Sequence, residues 1–193
     1  MSPLPTLLVF TDRTQATRPV TDVVRAAVAG GARAVVLREK DLPHVERAML
    51  AAELAHLLAA VGGLLFVASD PSIAADGVHL AGGDAFPSAV ERVGRSCHTA
   101  DDLLRAARQG CTYATLSPIF PTPSKPGYGP PLGPPALSAA PLPVYALGGI
   151  TAANAGACRR AGAAGVAVMG AIMRAARPDR VVADLLAAVT GET

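Results

Sequence analysis

The sequence predicts an α/β fold built on parallel strands, and three observations carry that prediction. Eight short apolar runs of strand length recur along the 193 residues. Most are continuous rather than alternating, as expected of strands covered on both faces. Between them lie alanine- and leucine-rich segments suited to helices. Such a series either closes into a single-domain (β/α)8 barrel or spreads as an open doubly wound sheet, and periodicity alone leaves both open.

The runs, in order, are "LLVFTD", "AVVLREK", "LLFVASD", "GVHLAG", "VGRSCHT", "YATLSPIF", "VYALGGI" and "GVAVMGAI". The helical segments are "VTDVVRAAVAGG", "HVERAMLAAELAHLLAAV", "TADDLLRAARQG", "TAANAGACRRAG" and "DRVVADLLAAV". In the third of these, Thr99 can cap the start, Asp101 and Asp102 suit the positive end of the helix dipole, and Gly110 can close it. Short connections are expected after the third and sixth strands, which makes the helical ring irregular. No GxGxxG follows the first strand, which argues against the dinucleotide-binding form of the open sheet.

Composition narrows the class. One domain spanning residues 1–193 fits the length. With 51% hydrophobic and 17% charged residues, a sizeable core is expected. A net charge of +2 with no long basic run gives no footprint for nucleic acid. Aromatic residues are 4% with no Trp, which argues against a base-stacking platform. Cys97, Cys111 and Cys158 are odd in number and far apart, so neither a disulfide frame nor a zinc site is expected, and a reducing cytoplasm is. The start "MSPLPTLLVFTD" reads as neither signal peptide nor membrane span.

Between Pro118 and Pro135 there are eight prolines and three glycines in eighteen residues. Such a stretch is neither helix nor central strand. It reads as a stiff surface linker or as a ligand loop carrying Thr122, Ser124 and Lys125. Both α/β alternatives collect function at the carboxyl ends of the strands. Those ends carry Thr11 and Asp12, Arg38 and Lys40, Ser69 and Asp70, Asp84, Ser96 and His98, the Thr122–Lys125 segment, Gly148 and Gly149, and Met169 and Gly170.

The rim chemistry suits two phosphate groups. Arg38, Lys40 and Lys125 supply positive charge. Gly148–Gly149 and Met169–Gly170 can bring backbone N–H groups close to oxygen. Asp70 and Asp84 can share Mg²⁺, which needs only one or two protein carboxylates beside phosphate oxygens. His44, His56 and His79 lack metal-ligand spacing and read as structural or surface residues. His98 reads equally as a buried histidine satisfied by backbone and as a catalytic one.

Taken in order, "LREK", "ADGVHL", "GRSCHT", "LSPIFPTPSKPG", "LGGIT" and "GVAVMGAI" resemble the thiamine phosphate synthase and TenI-like superfamily, from about residue 7 to 190. The resemblance implies a closed (β/α)8 (TIM) barrel. It implies a transferase of thiamine biosynthesis joining hydroxymethylpyrimidine pyrophosphate to thiazole phosphate, with release of pyrophosphate. By motif match, Arg38, Lys40, Ser96 and Lys125 would hold the pyrophosphate, with Ser69 in the same shell. Asp70 and Asp84 would carry Mg²⁺. Thr122 and Ser124, with the amides of Gly149 and Gly170, would bind the thiazole phosphate, and Gly148 and Met169 flank that subsite.

The chain departs from the synthase pattern at four places. Val36 stands where a glutamine usually contacts the pyrimidine, and Ser69 replaces the asparagine of an Asn-Asp pair. Ala81-Gly82-Gly83-Asp84 replaces Gly-Gln-Glu-Asp, and Gly170 replaces a serine. The alternatives implied are a TenI-type thiazole tautomerase and a non-catalytic phosphate-ligand-binding homologue. In tautomerases of this type a histidine precedes the "IF"-like element, and here that position is Pro118, so His98 would have to face the cavity instead. No membrane partner is expected, and a homo-oligomer stays open.

Overall fold

Alternation along each strand organises the molecule. The computed structural model describes residues 4–122 and 130–191. The eight strands are β1 (Leu7–Phe10), β2 (Ala34–Leu37), β3 (Leu64–Ala68), β4 (Gly77–Leu80), β5 (Val93–Cys97), β6 (Tyr113–Leu116), β7 (Val144–Leu147) and β8 (Gly165–Val168). All pair in parallel and in sequence order, and β8 returns to β1, with Leu7 opposite Val166 and Val9 opposite Val168. The expected (β/α)8 barrel is closed, and the open-sheet alternative is excluded.

Successive side chains of a strand point to opposite faces, so each continuous apolar run feeds two cores. Outward residues such as Val9, Val35, Leu37, Val67, Leu80 and Leu116 meet the helices. Inward residues Leu8, Phe10, Ala34, Val36, Phe66, Ala68, Tyr113, Tyr145 and Ala167 fill the barrel. Three interior aromatics each face a glycine on the neighbouring strand: Phe66 opposite Gly77, Tyr113 opposite Gly94 and Tyr145 opposite Gly165. A Cβ on Gly94 would lie 2.1 Å from Tyr113 Cζ, and one on Gly165 would lie 2.6 Å from a Tyr145 ring carbon. Large residues therefore fit because their partners have no side chain.

Helices follow five of the strands: α1 (Val20–Ala29), α2 (His44–Ala59), α3 (Ala100–Arg108), α4 (Ala152–Arg160), and the short α5 (Gly170–Met173) leading to α6 (Pro178–Thr190). The start of α3 is capped as its sequence predicts: Asp102 N–H donates to Thr99 Oγ1 at 3.1 Å, and Thr99 N–H returns to Asp102 Oδ2 at 3.1 Å. Gly110, just beyond its end, has φ +84°, a left-handed geometry that glycine adopts at little cost.

The irregularity of the ring matches the expectation after β3 and differs from it after β4 and β6. Among the described residues no helix follows β3 or β4. The connection after β6 is long rather than short, running from Ser117 to Pro143 with a 3₁₀ turn at Pro134–Leu137. The β3–β4 return is tight because Asp76 closes on Leu65, accepting its N–H on Oδ2 at 2.8 Å while donating its own N–H to the Leu65 carbonyl at 2.9 Å. After β4, the buried Arg95 donates to the carbonyls of Ala81, Gly82 and Asp84 at 2.9, 3.1 and 3.0 Å. One guanidinium thus ties that loop to the barrel. Among the described residues no helix is long and apolar enough to cross a membrane.

Overpacking inside a filled barrel costs about 1–3 kcal/mol. Gly94→Ala is expected to lower the urea unfolding midpoint by at least that equivalent. Gly83→Ala, where an added Cβ meets nothing within 4 Å, is expected to leave the midpoint unchanged.

Candidate active site

A cavity of about 830 Å³ opens at the carboxyl ends of the strands. It is lined by residues from the far ends of the chain, among them Asp12, Gln15, Arg38, Lys40, Ser96, His98, Thr122, Gly148, Gly149, Met169, Gly170 and Arg174. Nine of the sequence-predicted site residues therefore share one mouth. Ser124 and Lys125 lie outside the described residues. Ser69, Asp70 and Asp84 sit at the rim, off the cavity wall.

The "REK" segment splits by alternation. Arg38 and Lys40 turn into the cavity, while Glu39 is buried and accepts the Arg13 N–H on both carboxylate oxygens at 3.1 Å. Glu39 thus holds the loop after β1, and that loop presents Asp12 3.5 Å from Arg38 Nη1. The Arg38 backbone N–H donates to buried Thr11 Oγ1 at 3.0 Å. Lys40 Nζ donates to Ser69 Oγ at 2.6 Å, and Ser69 Oγ donates onward to Asp84 Oδ2.

Burial lowers the Lys40 pKa, with Arg38 and Arg47 adding to the effect and Asp84 opposing it. Burial alone would raise the Asp84 carboxyl; hydrogen bonds from Ser69 and the Ala81 N–H, with Lys40 and Arg95 nearby, bring it below the ordinary value. Asp84 is accordingly an anion at neutral pH.

Behind Ser96 lies a buried relay that the sequence reading missed. His79 is 3% exposed inside the barrel; its Nε2 lies 2.9 Å from Ser96 Oγ and its Nδ1 3.0 Å from Tyr113 OH. Burial, reinforced by Lys40, Arg38 and Arg95 and opposed by Asp84, lowers the ring pKa to about 3. The ring is therefore neutral, with one donor and one acceptor nitrogen. For Ser96 to donate its proton to an anion in the cavity, Nε2–H must donate to Oγ while Nδ1 accepts from Tyr113. Alternation along "GVHL" places this histidine inward, a signal present in the sequence once the strand register is known. His98 lines the cavity, and its Nδ1–H donates to the Ser117 carbonyl at 2.7 Å.

Opposite the cations, the glycine pair closes against the proline-rich loop. Gly148 and Gly149 have φ +93° and +65°. A Cβ on Gly148 would lie 2.9 Å from Pro118 Cα, and one on Gly149 would lie 2.8 Å from Phe120 Cβ. Ile119 and Phe120 donate N–H to the carbonyls of Leu147 and Gly148 at 2.9 and 3.0 Å, and Ile119 is buried. Leu132 and Gly133 donate back to Pro118 and Ile119 at 2.9 and 3.0 Å. Both described flanks of the loop are thus bound to the barrel, and a free linker is excluded there. Asn154 Nδ2 donates to the Gly149 carbonyl at 2.9 Å and so pins the turn from α4.

Residues 7–172 match the thiamine monophosphate synthase family. The chain belongs to that family. It is 41% identical over 187 residues to a thiamine-phosphate synthase of Roseiflexus castenholzii, covering 89% of this chain and 82% of that one. It is 39% identical over 199 residues to the Chlorobium luteolum thiamine-phosphate synthase, covering 95% and 92%. In structure it is similar to thiamine phosphate pyrophosphorylase from Pyrococcus furiosus, with TM-score 0.86, 29% identity and 96% of both chains covered.

Against the thiamine monophosphate synthase pattern, Val36 is fully buried in the interior cluster and its side chain does not line the cavity. The cavity-lining amide is Gln15 instead. For a magnesium ion the rim offers hard carboxylate oxygens, and the fit is uneven. Asp84 uses Oδ2 for Ser69 and Ala81, leaving Oδ1 without a partner among the described residues. Asp70 has Oδ1 bonded by the Ser72 N–H and hydroxyl and Oδ2 3.1 Å from His44 Nδ1, so it would ligate only in exchange for His44. Its pKa is lowered chiefly by the Ser72 hydroxyl, against burial. Among the described residues no three His, Cys, Asp or Glu side chains gather into a metal cluster.

The relay makes a pH prediction. The unfolded chain carries His79 at the ordinary value of 6.5, the native chain at about 3. Between these values the unfolded state binds a proton that the native state does not, so stability is full above 6.5 and falls on acidification. Below pH 6.5 this residue is expected to remove up to about 1.4 kcal/mol per pH unit. Urea unfolding at pH 7.5, 6 and 5 checks it, and His79→Gln should flatten that component.

Proposed function

We propose that this enzyme condenses hydroxymethylpyrimidine pyrophosphate with thiazole phosphate, giving thiamine phosphate and pyrophosphate. The observation that carries the reading is a single cavity with cations on one wall and a glycine-lined turn on the other. In the reaction the C–O bond to pyrophosphate breaks and takes its electron pair with the leaving group. The pyrimidine-stabilised cation left behind is captured by the lone pair of the thiazole nitrogen.

Negative charge grows on the departing pyrophosphate, and fixed donors aimed at that charge lower the barrier. Arg38 and Lys40 supply it from β2, Ser96 donates a hydrogen bond from β5, and Lys125 of the proline-rich loop adds a third cation. Ser69 holds Lys40 in place. Asp84, with Asp70, would hold Mg²⁺, which neutralises phosphate charge when bound. Thr122 and Ser124, with the amides of Gly149 and Gly170, take the thiazole phosphate. The three cysteines are free and buried, which suits a reducing cytoplasm.

The assay supplies both substrates and Mg²⁺ to the purified protein and follows thiamine phosphate. Lys40→Ala is expected to reduce kcat by about 10²–10³-fold, the usual cost of losing one charge-stabilising donor. Asp84→Asn is expected to raise the Mg²⁺ concentration needed for half-maximal rate, and chelation should abolish turnover. His98 at the cavity wall favours a second reading, a TenI-type thiazole tautomerase. Isomerisation of a thiazole carboxylate phosphate with no coupling of the two substrates would establish it.

A further inference from the structure

We infer that Arg174 is a phosphate-binding residue of the second subsite, an anchor that works with Gln15 and requires glycine at position 170. This rests on the reading of the cavity as a site for two phosphate esters. Arg174 follows α5 and lines the cavity beside Met169 and Gly170, two strands round the ring from Lys40. Its guanidinium lies against the Gly170 Cα: a Cβ there would be 2.5 Å from Nη1 and 2.8 Å from Nη2. Gly170 has no positive φ among the described glycines that do, so backbone conformation does not demand it. The space it leaves is filled by the guanidinium.

The orientation of that guanidinium is set by a chain of polarised contacts. Arg174 Nη1 donates to Gln15 Oε1. Gln15 Nε2 donates to Asp12 Oδ2 at 2.6 Å, and Asp12 is held 3.5 Å from Arg38. A carboxylate only accepts, so the amide nitrogen of Gln15 must face Asp12 and its oxygen must face Arg174. Among the described residues Arg25, Arg105 and Arg177 each pair with a carboxylate. Arg174 has no carboxylate partner among them and is oriented by a neutral amide. Its full charge therefore remains available to a cavity anion, and a guanidinium presents the forked donors that phosphate accepts.

The consequence is a site whose neighbouring cations serve two different phosphates. Arg38 and Lys40 serve the ester that loses pyrophosphate, and Arg174 serves the phosphate that the second substrate keeps. Charge at Arg174 contributes to binding rather than to bond breaking, because that phosphate does not change during the reaction.

The test is a KM split in the two-substrate assay. Arg174→Ala is expected to raise the KM for thiazole phosphate about tenfold, leaving the KM for pyrimidine pyrophosphate and kcat within twofold. With the dephosphorylated thiazole alcohol as acceptor, wild type and Arg174→Ala should be equal, and Arg174→Lys should recover part of the loss. Gly170→Ala, which only has to displace the end of a flexible side chain, should reproduce the Arg174→Ala phenotype in a protein of unchanged melting temperature. An unchanged KM for thiazole phosphate, or equal rises in both KM values, would overturn the assignment. Should the wild type make no thiamine phosphate, the proposed function fails by itself. Calorimetric titration of inorganic phosphate, with pyrophosphate saturating, then decides the anchor: weaker binding by Arg174→Ala upholds it and equal binding refutes it.

Discussion

The return of β8 onto β1 is the interaction on which the rest of the structure depends. Leu7 to Val9 pair with Val166 to Val168, and that pairing turns a row of strands into a ring. Once the ring is closed, alternate residues point into a filled interior, and every strand ends at the same rim. Arg38, from β2, and Arg174, from beyond β8, reach one cavity only because closure makes the first and last strands neighbours. In an open sheet with the same sequence order they would stand at opposite regions of a wide edge.

The cavity keeps its positive charge usable. A cation in direct contact with a carboxylate must break that pair before it serves a ligand, at a cost that grows as water is excluded. Lys40 meets Asp84 through the Ser69 hydroxyl, Arg38 stands 3.5 Å from Asp12, and Arg174 meets an amide. Each side chain is oriented by a contact weaker than a close bidentate ion pair. The neutral His79–Tyr113 pair supports Ser96 in the same way, by positioning a hydroxyl without adding charge. This arrangement suits a site whose ligands bring the negative charge with them.

Several features were legible before any coordinates. The caps of α3 were written in Thr99 and Asp102, because capping depends on residues three apart in the chain. The inward turn of Arg38 and Lys40 around an outward Glu39 follows from the two-residue period of a strand. The connections were less legible: the loop after β4 has no helix, and what secures it is Arg95, a strand residue whose apolar neighbours conceal a loop clamp. Gln15 and Arg174 carry no local signal at all. Nothing in "TDRTQA" or "AIMRAA" marks either residue as a wall of the cavity.

The sequence by itself determined the eight strand-length runs, the alternation within them, and the polar residues that follow them, since these properties are local and survive in any register. It also carried the family likeness through motifs such as "PIFPTPSK" and "LGGIT". Only the tertiary structure decided that Val36 is sealed beneath the cavity, that Asp70 is engaged by Ser72 and His44 while Asp84 keeps an oxygen unpartnered among the described residues, and that Arg174 lies over Gly170. Those outcomes turn on distances between residues far apart in the chain. Ring closure and packing set such distances, and no periodicity of a single strand or helix encodes them.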